Sequence, residues 1–248
     1  MLKQVRHPPD RARHEPVPFT MDGAGAKPLV GRLMELVTER HLQPGDRLPS
    51  ERELAERLGS GRNAVREAIA TLTSLRVVEP RPQSGIYLRE IQRQSSFEAL
   101  VMLSRLGRAP TLSEISATIE VREALERIAI ELACARRDDE DLAALDRILR
   151  ETEAILDEKG NIADADNAFH LALGSATHNV ILVRVLNAFY ELTAARRRRY
   201  FARLQRAKTA HRQHKRIVEA VRARDASPAV KLIHNHAESH WRLELPAG

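Results

Sequence analysis

The chain is short of most features that mark a secreted, membrane-bound or base-stacking protein. Its only cysteine is Cys134, so no internal disulfide framework can form and a reducing cytoplasm is the compartment that fits. The longest apolar run is VILV at 180–183, far below the roughly 20 residues that span a bilayer. The opening MLKQVRHPPDRARHEPVPFT lacks the apolar stretch of a secretory signal. Aromatic residues make up only 4%, which argues against a protein that binds single strands by stacking on bases. Glycine and proline are sparse through most of the chain, and no internal repeat or low-complexity tract is present.

What remains is a globular composition. Hydrophobic residues at 43% with 30% charged residues fit a folded soluble protein, and 248 residues leave room for two domains. The net charge of +6, carried mostly by arginine, suits a polyanionic partner such as DNA.

Residues 1–27 mix Pro, His, Arg and Gly without periodicity and read as a flexible tail. From Pro28 a pattern begins. PLVGRLMELVTERHL carries Leu29, Leu33, Leu36 and Val37 on one stripe of an amphipathic helix. QPGD at 43–46 is a turn. Ser50 and Glu53 form an S-x-x-E capping box for the next helix, and Gly59 closes it. A third helix runs from about Arg62 to Leu75, and VVEPRP and GIYL then flank QS as two short strands. This is the outline of a winged helix-turn-helix over 28–90, followed by a polar linker at 91–96. From Phe97 to about 245 no strand signal appears. Helices are expected at 97–106, 112–136, 139–158, 162–176, 179–205, 208–223 and 228–242, the last with Ser227 as N-cap and Pro228 as first helical residue. The expected fold is mainly α: a winged head and an all-helical bundle of six or seven helices.

In a helix-turn-helix the second helix lies in the major groove and reads bases with its first turns. That places Arg62, Asn63 and Arg66 at base edges, where Arg suits guanine and Asn adenine. Arg52 on the preceding helix is placed for the backbone or the groove edge. The same arginines would also serve as ordinary solvated helix charges. The segment LPSERELAERLG…RNAVREAIATLTSLRVVEPRPQSGIYL resembles the GntR family of bacterial transcription regulators over about 28–90. The resemblance implies DNA contacts from Arg52, Arg62 and Arg66, with the wing around Gln83–Gly85 approaching the minor groove. Gly61 stands where that family usually has a hydroxyl residue and Ser60 where it has an apolar one, so one phosphate contact is expected to be lost.

The second half holds DADNAFHLAL at 164–173, in which Asp166 and His170 share one helix face, four residues apart. Such a pair alone is commonly a surface pair or a satisfied core histidine. Two more imidazoles change the reading. His214 shares an apolar stripe with Ile217, Val218 and Val221, and His236 shares one with Ala229, Leu232 and Ile233, whereas His234 lies on the far side. One carboxylate and three inward imidazoles suit a divalent transition metal such as Zn, Ni, Mn or Fe. The region 97–242 also resembles the FadR-type C-terminal ligand-binding domain (FCD) of one GntR subfamily, through EVREALE, DNAFHLAL, HKRIVEAVRARD and the closing His236. The resemblance implies Asp166, His170, His214 and His236 as metal ligands, with Arg122 and Asn179 as effector-binding residues.

On TIEVREALERIAIEL the expected buried stripe is Val121, Leu125, Ile128 and Leu132, with Arg122 flanking it and Glu126 as its competing i+4 partner. The run RRRRY at 196–200 reads as a solvated or acid-paired surface, with one arginine entering the pocket. His178, His211 and His240 are spare imidazoles. The implied function is a cytoplasmic, nucleoid-associated bacterial regulator, most often a repressor in this family. It would be homodimeric on a palindromic double-stranded operator, would respond to a small carboxylate and would have no membrane partner. Two rivals stand beside it: a metal-dependent enzyme acting on a small carboxylate, for which no general base is evident, and a regulator whose helical domain only dimerises.

Overall fold

The computed structural model describes residues 28–241, so the expected tail at 1–27 and everything past Trp241 lie outside the described residues. The head comprises α1 (Leu29–Glu39), α2 (Glu51–Arg57), α3 (Arg62–Ser74), β1 (Val78–Arg81) and β2 (Gly85–Leu88). A short helix, α4 (Ile91–Gln94), lies within the polar linker expected at 91–96. The second domain is built from α5 (Phe97–Arg105), α6 (Leu112–Arg136), α7 (Asp139–Asp157), α8 (Ala163–Ser175), α9 (Val180–Tyr200), α10 (Leu204–Arg222) and α11 (Ala226–Trp241).

In the head, Leu33, Leu36 and Val37 of α1 pack on Val65, Ala68, Ile69 and Leu72 of α3, with Leu54, Val77, Val78 and Leu88 completing one core. The capping box forms as the spacing predicts: Ser50 Oγ accepts from Glu53 N, and the Glu53 carboxylate accepts from Ser50 N. Gly59, at φ +55°, takes the left-handed turn that ends α2. The wing is an antiparallel pair in the register Val78↔Leu88 to Arg81↔Gly85. Gly85 sits at φ +124°, and a Cβ there would lie 2.5 Å from Arg47 Nε, so this position has a double reason to be glycine.

Helix α5 belongs to both halves. Ala99 is buried in the head's core, while Phe97 stacks on Phe189 of α9 with ring centroids 6.0 Å apart. Arg105 pairs with Glu191 of α9, and Ser104 Oγ donates to the Leu192 carbonyl. The helix that opens at residue 97, where the second domain is expected to begin, thus makes contacts in both halves.

The second domain's main core gathers Ile130, Ala133 and Cys134 of α6 with Leu145, Ile148, Phe169, Leu173, Ile217, Val218, Val221 and Ile233. Three expectations are corrected. Helix α6 buries Arg122, Glu126, Ala129, Ile130 and Ala133, and leaves Val121 and Ile128 48% and 39% exposed. The helix expected through 205 ends at Tyr200, because Tyr200 and Phe201 turn into a small core with Leu156, Ile162 and Ala207. At α11 the cap is Asp225, whose Oδ1 accepts from Ser227 N, so Ser227 and Pro228 are the second and third residues of the helix.

Candidate metal centre and nucleic-acid interface

On α3 the apolar residues Val65, Ala68, Ile69 and Leu72 face the core, which leaves Arg62, Asn63 and Arg66 exposed on the opposite side. Arg66 Nε donates to Glu51 of α2 at 2.6 Å, with 64% and 34% of the two side chains exposed. Such a surface pair is worth at most about 1 kcal/mol, so little free energy holds the Arg66 side chain to Glu51. Arg52 and Gln83 are also exposed, the latter at φ +57° at the wing tip. Gly85, the first residue of β2 beside the wing tip, gives the Arg47 side chain its space. Gly61 is the N-cap of α3 and supplies no side-chain bond.

The second site is buried. Asp166 and His170 stand one turn apart on α8, His214 comes from α10 and His236 from α11, and none is more than 2% exposed. Asp166 Oδ1 lies 3.7, 3.4 and 3.8 Å from the Nε2 atoms of His170, His214 and His236 respectively. The His236 Nε2 is 3.2 Å from both other Nε2 atoms. Four donor atoms thus converge on one point. A tetrahedron whose corners lie about 2.05 Å from its centre has edges of about 3.3 Å, which is the scale of these separations. The residues fit a divalent metal.

The opposite ring edges are held from outside. His236 Nδ1 meets Gln213 Oε1 at 2.9 Å, and His170 Nδ1 lies 3.1 Å from Glu126 Oε1. Partners at Nδ1 fix the tautomer that offers Nε2 as a donor. The His214 ring lies flat on Phe169, with centroids 3.8 Å apart.

Next to this cluster sits an ionic network that the apolar pattern of α6 did not indicate. Arg122 Nε donates to Glu126 Oε1 at 2.8 Å, the i+4 pairing, with both side chains at most 3% exposed. Arg122 Nη2 also lies 3.3 Å from His170 Nε2, at the rim of the converging donors. The Tyr190 hydroxyl of α9 donates to the same Glu126 oxygen at 2.6 Å. Burial works against the Arg122 charge, but Glu126, Tyr190 and Asp166 more than offset it and hold the guanidinium protonated. Burial and the neighbouring Glu126 push the Tyr190 phenol well up, so it stays a donor.

The arginine run divides. Arg198 and Arg199 are exposed, whereas Arg196 and Arg197 are buried. Arg197 donates to the Tyr190 carbonyl at 2.9 Å, and its Nε lies 3.8 Å from Asp166 Oδ2. The signal for this was present: Leu186, Tyr190, Thr193, Arg197 and Tyr200 form one helical stripe, all of it buried. Asn179 is the N-cap of α9: its Oδ1 accepts from Ile181 N and Leu182 N. His178 is occupied by Asp141 at 2.8 Å. His211 is buried, neither of its ring nitrogens has a hydrogen-bond partner, and burial pushes its pKa down.

Residues 26–88 match the model of bacterial regulatory proteins of the gntR family, and residues 117–239 match the FCD domain. The HTH-type transcriptional regulator LutR of Bacillus subtilis is 30% identical over 200 residues, covering 78% of this chain and 89% of that protein. The Glc operon transcriptional activator of Escherichia coli K12 is 29% identical over 213 residues, 82% of each. Among solved structures, a Streptococcus agalactiae GntR protein superposes with a TM-score of 0.50 at 25% identity, covering 87% of this chain and 98% of that one. Lar of Listeria monocytogenes shares the fold, with a TM-score of 0.57 at 23% identity over 85% and 92% of the two chains. The chain belongs to the GntR family of DNA-binding bacterial transcription regulators, with a winged helix-turn-helix head and a C-terminal FCD domain, and is a regulator rather than an enzyme.

Proposed function

We propose that this regulator senses a small carboxylate through a divalent metal held by Asp166, His170, His214 and His236, and that occupancy of this site changes its affinity for a palindromic operator. The observation that carries the reading is the convergence of three Nε2 atoms and one carboxylate oxygen beside the buried guanidinium of Arg122. A divalent cation there would supply a fixed positive charge that attracts a hard oxygen donor. Arg122, within reach of the same point, is the side chain to meet a carboxylate's second oxygen by a charge-assisted bond.

The adjoining cavity, lined by Glu126, His170, Tyr190, Leu173, Leu186 and Ile233, measures about 10 Å³, enough for about one water. An effector of several heavy atoms needs more room, so its binding selects a form in which the lining helices stand apart. Tyr190 and Arg197 sit on α9, and α9 is tied to α5 by the Phe97–Phe189 stack and the Arg105–Glu191 pair. Helix α5 in turn seats Ala99 in the head's core. A shift of α9 therefore has a packed route to the recognition helix. Operator contacts are assigned to Arg52, Arg62, Asn63, Arg66 and the wing at Gln83.

A homodimer is supported by apolar side chains left in water on two helices that pack together. They are Val121 and Ile128 of α6, with Val180, Ile181 and Val185 of α9 at 58%, 62% and 44% exposure. Repression is the common mode of the family the chain resembles, and we assign it here, with action in the bacterial cytoplasm. The relative of the Glc operon is an activator, so the sign is read directly by a promoter reporter with and without effector.

The test combines selection of binding sites from random DNA with elemental analysis of protein purified without chelator. The expected result is an enriched palindrome and one divalent metal per chain, lost in His214→Ala. No metal, together with no thermal shift on adding Zn, Ni or Mn, would overturn the sensing site and leave the DNA-binding head standing.

A further inference from the structure

From Leu192 to Val218 the chain has no acidic residue, although it carries 34 of them in all. Arg196 and Arg197 enter the core, and the other cations of this stretch stay at the surface. On α10 the buried Ala207, Ala210, His211 and His214 leave Lys208, Arg212 and Arg216 on the opposite side, in one row at steps of four residues, about 6 Å apart along the axis. Arg199 and Arg203 stand exposed at the turn that leads into α10. Arg199, Arg203, Lys208 and Arg212 have no acidic partner among the described residues. The nearby acids are matched by other cations: Arg198 takes Asp164, Lys215 takes Glu153, and Lys159 follows Asp157 and Glu158. Solubility is served by mixed signs, so a one-signed stretch of this length points to a polyanion.

Helix register places this surface relative to the head. Arg122 of α6 lies over the Tyr190 ring, and Ala129 shares a cluster with Leu182 and Leu186, so α6 runs antiparallel to α9. Leu112, ten residues before Arg122, therefore stands level with Tyr200, ten residues after Tyr190. The segment leading into α6 carries Leu106, which fills the space beside Gly31 of α1: a Cβ there would lie 2.9 Å from Leu106 Cδ2. The head is thus fastened toward the end of the bundle at which Tyr200 turns into α10. We infer that Arg199, Arg203, Lys208 and Arg212 form a second DNA-contacting surface, which holds the phosphate backbone of the duplex flanking each half-site without reading its sequence. The inference is independent of the sensing site. Duplex DNA is the polyanion this family already holds, and the head tethers it, so even weak contacts act at high effective concentration. Each phosphate neutralised releases counterions, which is the source of the affinity. Tyr200 and Phe201 are buried and offer no face for base stacking, which favours a duplex over a single strand. Long exposed cations with no fixed acceptor position a backbone and do not specify bases.

The experiment is fluorescence anisotropy on the full-length protein with two duplexes, across a range of salt. One is the palindrome returned by selection from random DNA, trimmed to its ends. The other carries about 15 bp of arbitrary sequence on each side, about one and a half helical turns. At low salt the flanked duplex is expected to bind at least about tenfold tighter, with a log–log salt slope steeper by about 2–3 for each chain that engages three phosphates. The variant Arg203→Gln/Lys208→Gln/Arg212→Gln should lose this advantage and bind the trimmed duplex within about twofold of wild type, because charges beyond a Debye length are screened. All three side chains are exposed, so the fold should hold. A control, Arg147→Gln/Arg150→Gln/Lys231→Gln, removes the same charge from exposed positions elsewhere and should keep the advantage. Equal affinity of wild type for the two duplexes overturns the inference, whether the surface then serves RNA, an acidic protein or solvent. Retention of the flank advantage in the first variant, or its equal loss in the control, overturns it as well.

Discussion

The two domains treat arginine in opposite ways. On α3, Arg62 and Arg66 stand in water above an apolar core, and the only partner of Arg66 among the described contacts is an exchangeable glutamate. In the second domain, Arg122 and Arg197 lie inside the core, where each must be matched by a carboxylate, a carbonyl or a ring face. A guanidinium in water costs nothing to keep and waits for any polyanion of suitable shape. A buried guanidinium carries a desolvation cost that only specific partners relieve. Surface charge therefore reports the sign of the partner, and core charge reports a particular chemical group.

The contrast is broken or upheld most strongly by stability. Arg122→Ala leaves Glu126 buried beside Tyr190 without its cation, and a loss of about 3–5 kcal/mol in denaturant unfolding is expected. Arg62→Ala should stay within about 0.5 kcal/mol of wild type, because its side chain is exposed. Similar losses in both would erase the distinction.

Operator binding should reverse the order. Arg62→Ala or Arg66→Ala is expected to cost on the order of 1–3 kcal/mol of affinity if each makes a bidentate base contact. The Asn63 variant should relax base preference at one position of each half-site. Fluorescence anisotropy on the selected operator measures both, and wild-type affinity in both arginine variants would contradict the assignment.

A pH-dependent effect separates the buried histidines from the surface. Saturating Zn at about 100 times its Kd should stabilise the protein by about 2.7 kcal/mol. That increment should shrink as pH falls below about 6, because the imidazoles must be neutral to bind. His211 adds a metal-independent contribution of the same sign. Burial lowers its folded pKa, so the unfolded chain binds the proton more readily, and stability is lost as pH falls through the unfolded value near 6.5. Thermal unfolding of wild type and His211→Gln with chelator present reads this second part. An identical pH dependence in the two would sink it.

Much of the frame was legible in the sequence because it rests on local chemistry. The Ser50–Glu53 box, the wing and the span 112–136 follow from caps, turns and breakers that act within a few residues. The Asp166–His170 pair and the inward faces of His214 and His236 were equally readable, since polar residues on apolar stripes stand out. Helix α6 departs from its apolar pattern for the converse reason: its buried face carries Arg122 and Glu126, so periodicity points to Val121 and Ile128 instead. The end of α9 carries no glycine or proline, and only the burial of Tyr200 and Phe201 sets it. The capping role of Asn179, which the resemblance does not indicate, follows from its place directly before Val180 at the start of α9.

The most direct test of the central claim is linkage between the two domains. Operator affinity is measured for zinc-loaded wild type and for His214→Ala, each with and without a saturating small carboxylic acid that calorimetry shows to bind the wild type. The account predicts that the acid shifts wild-type affinity by about tenfold or more and leaves the variant unchanged, a coupling of about 1.4 kcal/mol. Phe97→Ala, which removes the stack joining α5 to α9, should bind acid normally and show a weakened shift. The same shift in His214→Ala as in wild type, or no shift in wild type when calorimetry shows the acid bound, would contradict the account.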